Sequence, residues 1–221
     1  MKKAISLLSG GLDCCVATSL FTKDYEIYAL TFNYGQKAFK AELKASKEIC
    51  EKMNWHHEVI DLDWLGKISN SSLNTDEDII EVDASDLDDF EKSSESASNV
   101  WVPGRNTVFT SIGLAYAESL KAEAIIVGWN SEEGLTFPDN SKRYLNKFNE
   151  LFEVGSPDRV EIKAPCIDLT KEEIVKLGFE IDAPMDLSYS CYKGDLNPCG
   201  VCESCMRRKR AFKKVKNEYD Y

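Results

Sequence analysis

No stretch of this 221-residue chain approaches the roughly 20 consecutive apolar residues that a membrane span needs. We expect no secretory leader either. Met1-Lys2-Lys3 is followed by only five mostly apolar residues before Ser9-Gly10-Gly11, which is too short for a signal peptide. We therefore expect a cytoplasmic protein with no membrane partner. Positive charge is in deficit as well. The 27 Lys and Arg face 38 Asp and Glu, for a formal net charge of −11, which weighs against non-specific nucleic-acid binding, since that draws its affinity from neutralised phosphates. No internal repeat or interdomain linker is visible within these residues, and we expect no second domain for glutamine hydrolysis. The length suits one domain covering 1–221.

What is present alternates between two periodicities. Apolar runs at 3–8, 26–32, 58–62, 123–128 and 160–162 read as strands. Helical spacing appears over 12–22, 37–53, 108–120 and 142–152. Thr170-Lys171-Glu172-Glu173 is a capping-box signature opening a further helix that Gly178 would end. Strands alternating with helices predict an α/β fold, a Rossmann-like, doubly wound parallel sheet. Ligands of such sheets bind beyond the carboxyl ends of the strands. That rule gathers Ser9–Asp13, Asn33-Tyr34-Gly35-Gln36 and Gly128-Trp129-Asn130 on one rim. The acidic run from Asp76 to Glu95 reads as a solvated loop or short surface helix. The basic run Arg207-Arg208-Lys209-Arg210 with Lys213-Lys214 could be a solvated helix face or a source of charge for a phosphate site.

Two features carry chemistry. The first is Ser9-Gly10-Gly11-Leu12-Asp13, a turn between a short apolar strand and a helix. Glycines let a backbone approach a ligand closely, and the free N–H groups and dipole of a helix start favour an anion. No Gly-Lys-Ser/Thr follows, so this is not a Walker-type P-loop. The second is the crowding of Cys191, Cys199, Cys202 and Cys205, with seven, two and two residues between them, while Cys14, Cys15, Cys50 and Cys166 are scattered. In a cytosolic chain such crowding signals a metal rather than disulfides. Four thiolates at these spacings suit a tetrahedral, structural Zn²⁺ with no open coordination position. An iron–sulfur cluster with Cys191 as the distant fourth ligand is the other reading.

The Ser-Gly-Gly-Leu-Asp form resembles the PP-loop of ATP pyrophosphatases, which cleave ATP to AMP and pyrophosphate. The chain as a whole resembles the 7-cyano-7-deazaguanine synthase family of PP-loop ligases, which serve queuosine and archaeosine biosynthesis. That resemblance rests on Leu8–Asp13, on Phe32-Asn33-Tyr34-Gly35-Gln36, on Val102-Pro103-Gly104-Arg105-Asn106, and on the tail from Ser190 to Phe212. It implies an ATP-dependent carbon–nitrogen ligase that turns 7-carboxy-7-deazaguanine and ammonia into 7-cyano-7-deazaguanine (preQ0). It implies ATP and Mg²⁺ as cofactors, a zinc-binding C-terminal segment at 188–216, and small molecules rather than nucleic acid as partners, with a homodimer left open. ATP would lie along Leu7, Leu8, Ser9, Gly10, Gly11, Leu12, Asp13, Cys14, Cys15, Val16 and Ala17, with Asp13 holding Mg²⁺ through water. Asp13 and Arg105 are the expected catalytic residues, Arg105 through substrate carboxylate or phosphate. Gln36 and Asn33 could bond a base edge or simply form a turn.

Two departures from the family pattern stand out. Cys14 replaces a customary Ser, and Phe137-Pro138-Asp139-Asn140-Ser141 keeps Pro-Asp while losing a Cys-Arg that follows in many bacterial members. Three other readings stay open at this point. One is a tRNA-modifying PP-loop enzyme, another a ligase conjugating a deazaguanine to a different acceptor, and the third a non-enzymatic zinc module.

Overall fold

In a computed structural model describing residues 1–195 and 197–219, five parallel strands carry the molecule. Leu196, inside the expected metal-binding segment, and Asp220 and Tyr221 lie outside the described residues. The elements in order are β1 (Lys2–Leu7), α1 (Leu12–Ser19), β2 (Tyr25–Asn33), α2 (Phe39–Met53), β3 (His56–Asp61), α3 (Asp63–Lys67), α4 (Phe90–Asn99), α5 (Arg105–Leu120), β4 (Ala124–Ile126), α6 (Lys142–Gly155), β5 (Glu161–Lys163), α7 (Lys171–Glu180) and α8 (Glu203–Tyr219). The sheet order is β3-β2-β1-β4-β5. Among the described residues no helix is long and apolar enough to cross a membrane.

Strand side chains alternate between two faces, and both faces are covered. Ile5, Leu30, Phe32, Ile125 and Ile162 point toward α5 and α6, where Ala117, Phe148 and Phe152 meet them. Ala4, Ile27, Ala29 and Ile126 point the other way, toward Val16 of α1, Ile49 of α2, Ile174 and Val175 of α7, and Ala211 and Val215 of α8. The doubly wound expectation holds, and the strand order reverses at β1, which pairs with β2 on one side and β4 on the other. A ligand crevice is expected at that reversal.

Local chemistry explains most element boundaries. Asp89 caps α4 by accepting from Glu91 N and Lys92 N, and Ser141 caps α6 by accepting from Tyr144 N. The capping box at α7 forms as expected, with Thr170 Oγ1 accepting from Glu173 N and Glu173 Oε2 from Thr170 N. Other boundaries differ from the sequence reading. Helix α1 stops at Ser19 rather than running to 22, because the next residues tighten into turns closed by Phe21 N to Thr18 O and Thr22 N to Ser19 O. Gly178 does not end α7. It sits inside the helix, where any side chain would collide with Met185 Sδ, at 2.2 Å from an added Cβ.

The two charged runs meet each other. Val82 N–H donates to Val201 O, and Glu81 bridges Cys202 in an antiparallel pair, so the acidic segment straps the cysteine tail. Buried Ile79 and Leu87 anchor that strap, which is therefore not a freely solvated loop. In α8, Arg207 is buried and bonds Glu203 and Glu132, with further bonds to Leu87 O and Ser93 Oγ. Arg210 joins the same Glu132 and reaches Asp88. Glu132 also accepts the first N–H of α7 from Lys171 at 2.8 Å. One carboxylate thus ties the loop after β4 to α7 and α8.

Burial pushes the Glu132 carboxyl up, but the Lys171 N–H and the Arg207 guanidinium outweigh it and hold the group below its ordinary 4.5. A depressed carboxyl stabilises the fold above pH 4.5, and that contribution disappears as pH falls through the folded value. Glu132→Gln should therefore cost roughly 2 kcal/mol at neutral pH, since it weakens charge-assisted bonds while Arg207 keeps Glu203. Urea denaturation of wild type and variant checks this, and their difference should shrink steadily below pH 4.5.

Candidate active site at the switch point of the sheet

The carboxyl ends of β1, β2 and β4 open onto a cavity of about 230 Å³. Its floor is the turn after β1. Gly10 has φ +78°, and a Cβ there would lie 2.7 Å from Glu42 O and 2.8 Å from Ser46 N, so only glycine lets this turn press on α2. Gly128 performs the matching service from β4, where a Cβ would stand 2.4 Å from Cys14 N. From the tail, Tyr189 N–H donates to Gly10 O at 2.8 Å. The start of α1 is thus gripped from three directions.

Of the residues expected along the nucleotide, Leu7, Ser9, Gly11, Leu12, Asp13 and Cys14 line the cavity. Leu8, Cys15, Val16 and Ala17 are buried in the core beneath it and do not line it, and Gly10 contributes the turn and its carbonyl. Cys14 is joined to the local network of the turn. Its Sγ lies 3.4 Å from Ser9 Oγ and donates to Gly11 O at 3.2 Å. Burial pushes the Cys14 thiol up, so it stays a neutral, weak donor.

Asp13 is paired in a way that its local sequence does not reveal. Lys171, at the first position of α7, places its ammonium on Asp13 Oδ2 and 3.4 Å from Glu133 Oε1. Lys171 is only 7% exposed. Burial lowers its pKa, yet the carboxylates of Asp13 and Glu133 more than reverse this and hold it charged. Burial also raises Asp13, against the pull of Lys171. Asn130, wholly buried, donates to Asp13 Oδ2 at 3.3 Å, while Asp13 Oδ1 is buried with no partner. In the sequence Lys171 stands only as part of a helix start. The one local signal there is a cation that opposes the helix dipole.

Arg105 opens α5 behind Gly104 and reaches the cavity, donating from Nη1 to Tyr34 Oη at 3.2 Å. Among the described residues no carboxylate forms an ion pair with it, which leaves its planar fork for an anion. Phe32 and Phe109 stack at 4.0 Å beside it, and Tyr34 and Trp129 extend this aromatic wall. The 137–141 loop folds against the same place. Asn106 Nδ2 donates to Asn140 Oδ1, and Asn140 Nδ2 to Glu133 Oε2. Asn33 is turned away, donating to Asp61 and accepting from Gly35 N–H, so it forms the turn. Gln36 lines the cavity with its amide held by Tyr34 N–H and Phe32 O.

The four tail cysteines converge, with their Sγ atoms within 4.8 Å of one another. Cys199 N–H points to Cys191 Sγ and Cys202 N–H to Cys199 Sγ, both at 3.4 Å, as thiolates gathered around a cation would want. The group can hold a metal ion. Cys191 also lines the cavity between Ser190 and Tyr192, so the cluster and the cavity share a wall. The basic run of α8 does not supply the cavity with charge. Arg207 and Arg210 are committed to Glu132 and its neighbours, and Arg208 donates to Ser188 Oγ and Met185 O while lying over Phe212.

Comparison with known proteins adds names to this geometry. The family model described as "Queuosine biosynthesis protein QueC" matches residues 3–216. A protein of Methanobrevibacter smithii named 7-cyano-7-deazaguanine synthase is 64% identical, over 100% of this chain and 98% of that protein. Its namesake in Methanosphaera stadtmanae is 62% identical, over 99% and 96%. Another, in Methanothermobacter thermautotrophicus, is 51% identical, over 95% and 94%.

The Asp13–Lys171 pair makes its own prediction. Lys171→Met should destabilise the protein by about 3 kcal/mol, because it strands a buried carboxylate. Asp13→Asn combined with Lys171→Met should recover much of that loss, since neither charge then remains. Equilibrium unfolding of the single and double variants measures the coupling.

Proposed function

The chain belongs to the queuosine biosynthesis protein QueC family, and we propose that it is an ATP-dependent carbon–nitrogen ligase converting 7-carboxy-7-deazaguanine and ammonia into 7-cyano-7-deazaguanine. One observation carries this reading: the Ser9–Asp13 turn, an Arg105 that forms no ion pair among the described residues and an aromatic wall all border one cavity. A nucleotide phosphate, a carboxylate and a flat base can therefore meet there. The names of the full-length relatives agree with it.

The chemistry uses the carboxylate twice. Its oxygen first attacks the α-phosphorus of ATP, expelling pyrophosphate and making that oxygen a leaving group. Ammonia then adds to the carbonyl carbon, AMP departs with the oxygen, and loss of a proton leaves an amide. The amide oxygen attacks a second ATP in the same way. Loss of AMP and of the nitrogen-bound protons then gives the nitrile. Catalysis of this kind is positioning together with stabilisation of charge on phosphate. In our reading the free N–H groups at the start of α1 and the Lys171 ammonium face the departing pyrophosphate, and Arg105 holds the carboxylate in line with the α-phosphorus. Mg²⁺ arriving with ATP would neutralise phosphate charge, and the unpartnered Asp13 Oδ1 is the acceptor this chain offers it. We place the reaction in the cytoplasm with free ammonia as donor.

Mixing the protein with ATP, Mg²⁺, ammonium and 7-carboxy-7-deazaguanine should yield two AMP per nitrile by mass spectrometry. Arg105→Ala should lower kcat/KM for the acid by about 10- to 100-fold, the worth of a charged hydrogen bond. Absence of both products from metal-replete wild type would sink the proposal.

For the cysteine cluster we propose Zn²⁺, held by all four thiolates and so without an open position for catalysis. Elemental analysis should find one zinc per chain, and Cys202→Ser should lose it together with thermal stability. Broad brown absorption in anaerobically purified protein would overturn the assignment in favour of iron and sulfide.

A further inference from the structure

Glu42, on the first turn of α2, presents its carboxyl group to the wall of the cavity. That is an expensive side chain to place there. Burial pushes its carboxyl above the ordinary 4.5, against a hydrogen bond from Gln36 and the more distant charge of Arg105. Among the described residues none forms an ion pair with it, and only Gln36 donates to it, from Nε2 to Oε2 at 2.8 Å. Gln36 does not require a charge in return. Its amide is already oriented by accepting from Tyr34 N–H and donating to Phe32 O, each at 3.0 Å, and a neutral acceptor would complete it equally well. Half-buried at the cavity wall and without an ion-pair partner among the described residues, this carboxylate has acceptor capacity left for donors that a ligand brings. Two parallel N–H groups are the complement of its two oxygens.

The position of Glu42 adds to this. Gln36 ties it to the backbone end of Tyr34, whose hydroxyl at the other end accepts from Arg105. An acceptor for N–H groups and a cation for an anion thus stand at the two ends of one tyrosine, with Phe109 packed 5.6 Å from its ring. The acid named above has the same polarity. It carries a ring N–H and an amino group side by side on its six-membered ring, and a carboxylate on its five-membered ring. Adenine offers an amino donor beside a bare ring nitrogen, which a carboxylate repels. Resting on the ligase reading, we propose that Glu42 reads the ring N–H and 2-amino edge of the deazaguanine and sets specificity for a base bearing both.

Calorimetric titration without ATP tests this independently of turnover. Wild type should bind 7-carboxy-7-deazaguanine about 10- to 100-fold more tightly than the analogue lacking the 2-amino group. In Glu42→Gln the preference should collapse to within about threefold, because an amide offers a donor where the second acceptor is needed. Glu42→Asp keeps the carboxylate and should retain the preference at lower affinity, which covers the case of a Gln variant that fails to fold. A purely structural Glu42 would weaken both ligands equally. Equal binding of the two by wild type, or an undiminished preference in Glu42→Gln, overturns the proposal. Preferential binding without AMP formation would instead refute the ligase reading and leave the Glu42 assignment standing.

Discussion

Backbone-to-backbone contact at the Ser9–Asp13 turn is the constraint on which the rest of the site depends. Gly10 presses on α2 and Gly128 on the start of α1, at separations no Cβ could share, and Tyr189 N–H closes the third side. A turn held by main chain needs little from its side chains, so a buried thiol at Cys14 serves there. It also keeps the N–H groups at the start of α1 pointed at one place without a side-chain scaffold. Preorganised donors of this kind need no rearrangement when charge develops.

Around that turn the charges are arranged in closed groups. Asp13, Lys171 and Glu133 form one, and Glu203, Arg207, Glu132, Arg210 and Asp88 form another. Glu132 and Glu133, adjacent in the chain, belong to different groups and so join them mechanically. The acidic surplus of the whole chain therefore says little about the cavity. Arg105 and Glu42 stand at its wall without an ion-pair partner among the described residues, and Asp13 Oδ1 remains an open acceptor inside the first group.

The cysteine tail is more than an appendage. It contributes Tyr189 to the grip on Gly10, Cys191 and Tyr192 to the cavity wall, and Cys202 to a bridge with the acidic strap. Gathering four thiolates fixes the spacing of all these contacts at once. The strap in turn is held by Ile79 and Leu87, two apolar residues inside a run that otherwise looks made for solvent.

The sheet, its two covered faces, the Ser9–Asp13 turn and the convergence of the four cysteines were legible in the chain before any folding was considered. Each depends on neighbours within a few residues, as strand alternation, helical spacing, glycine turns and ligand spacing all do. The capping box at Thr170 was legible for the same reason. Helix α4, the fate of the basic run and the place of Gly178 were not, because packing between distant segments decides them. Lys171 and Asp13 are 158 positions apart, and Arg207 and Glu132 are 75 apart. No local pattern relates such residues. The sequence by itself determined the glycine turn after β1 and the grouping of the four cysteines, since those need only short-range backbone geometry and spacing. Only the tertiary structure decided which charges are neutralised and which remain at the cavity wall, because burial and pairing are properties of the assembled fold.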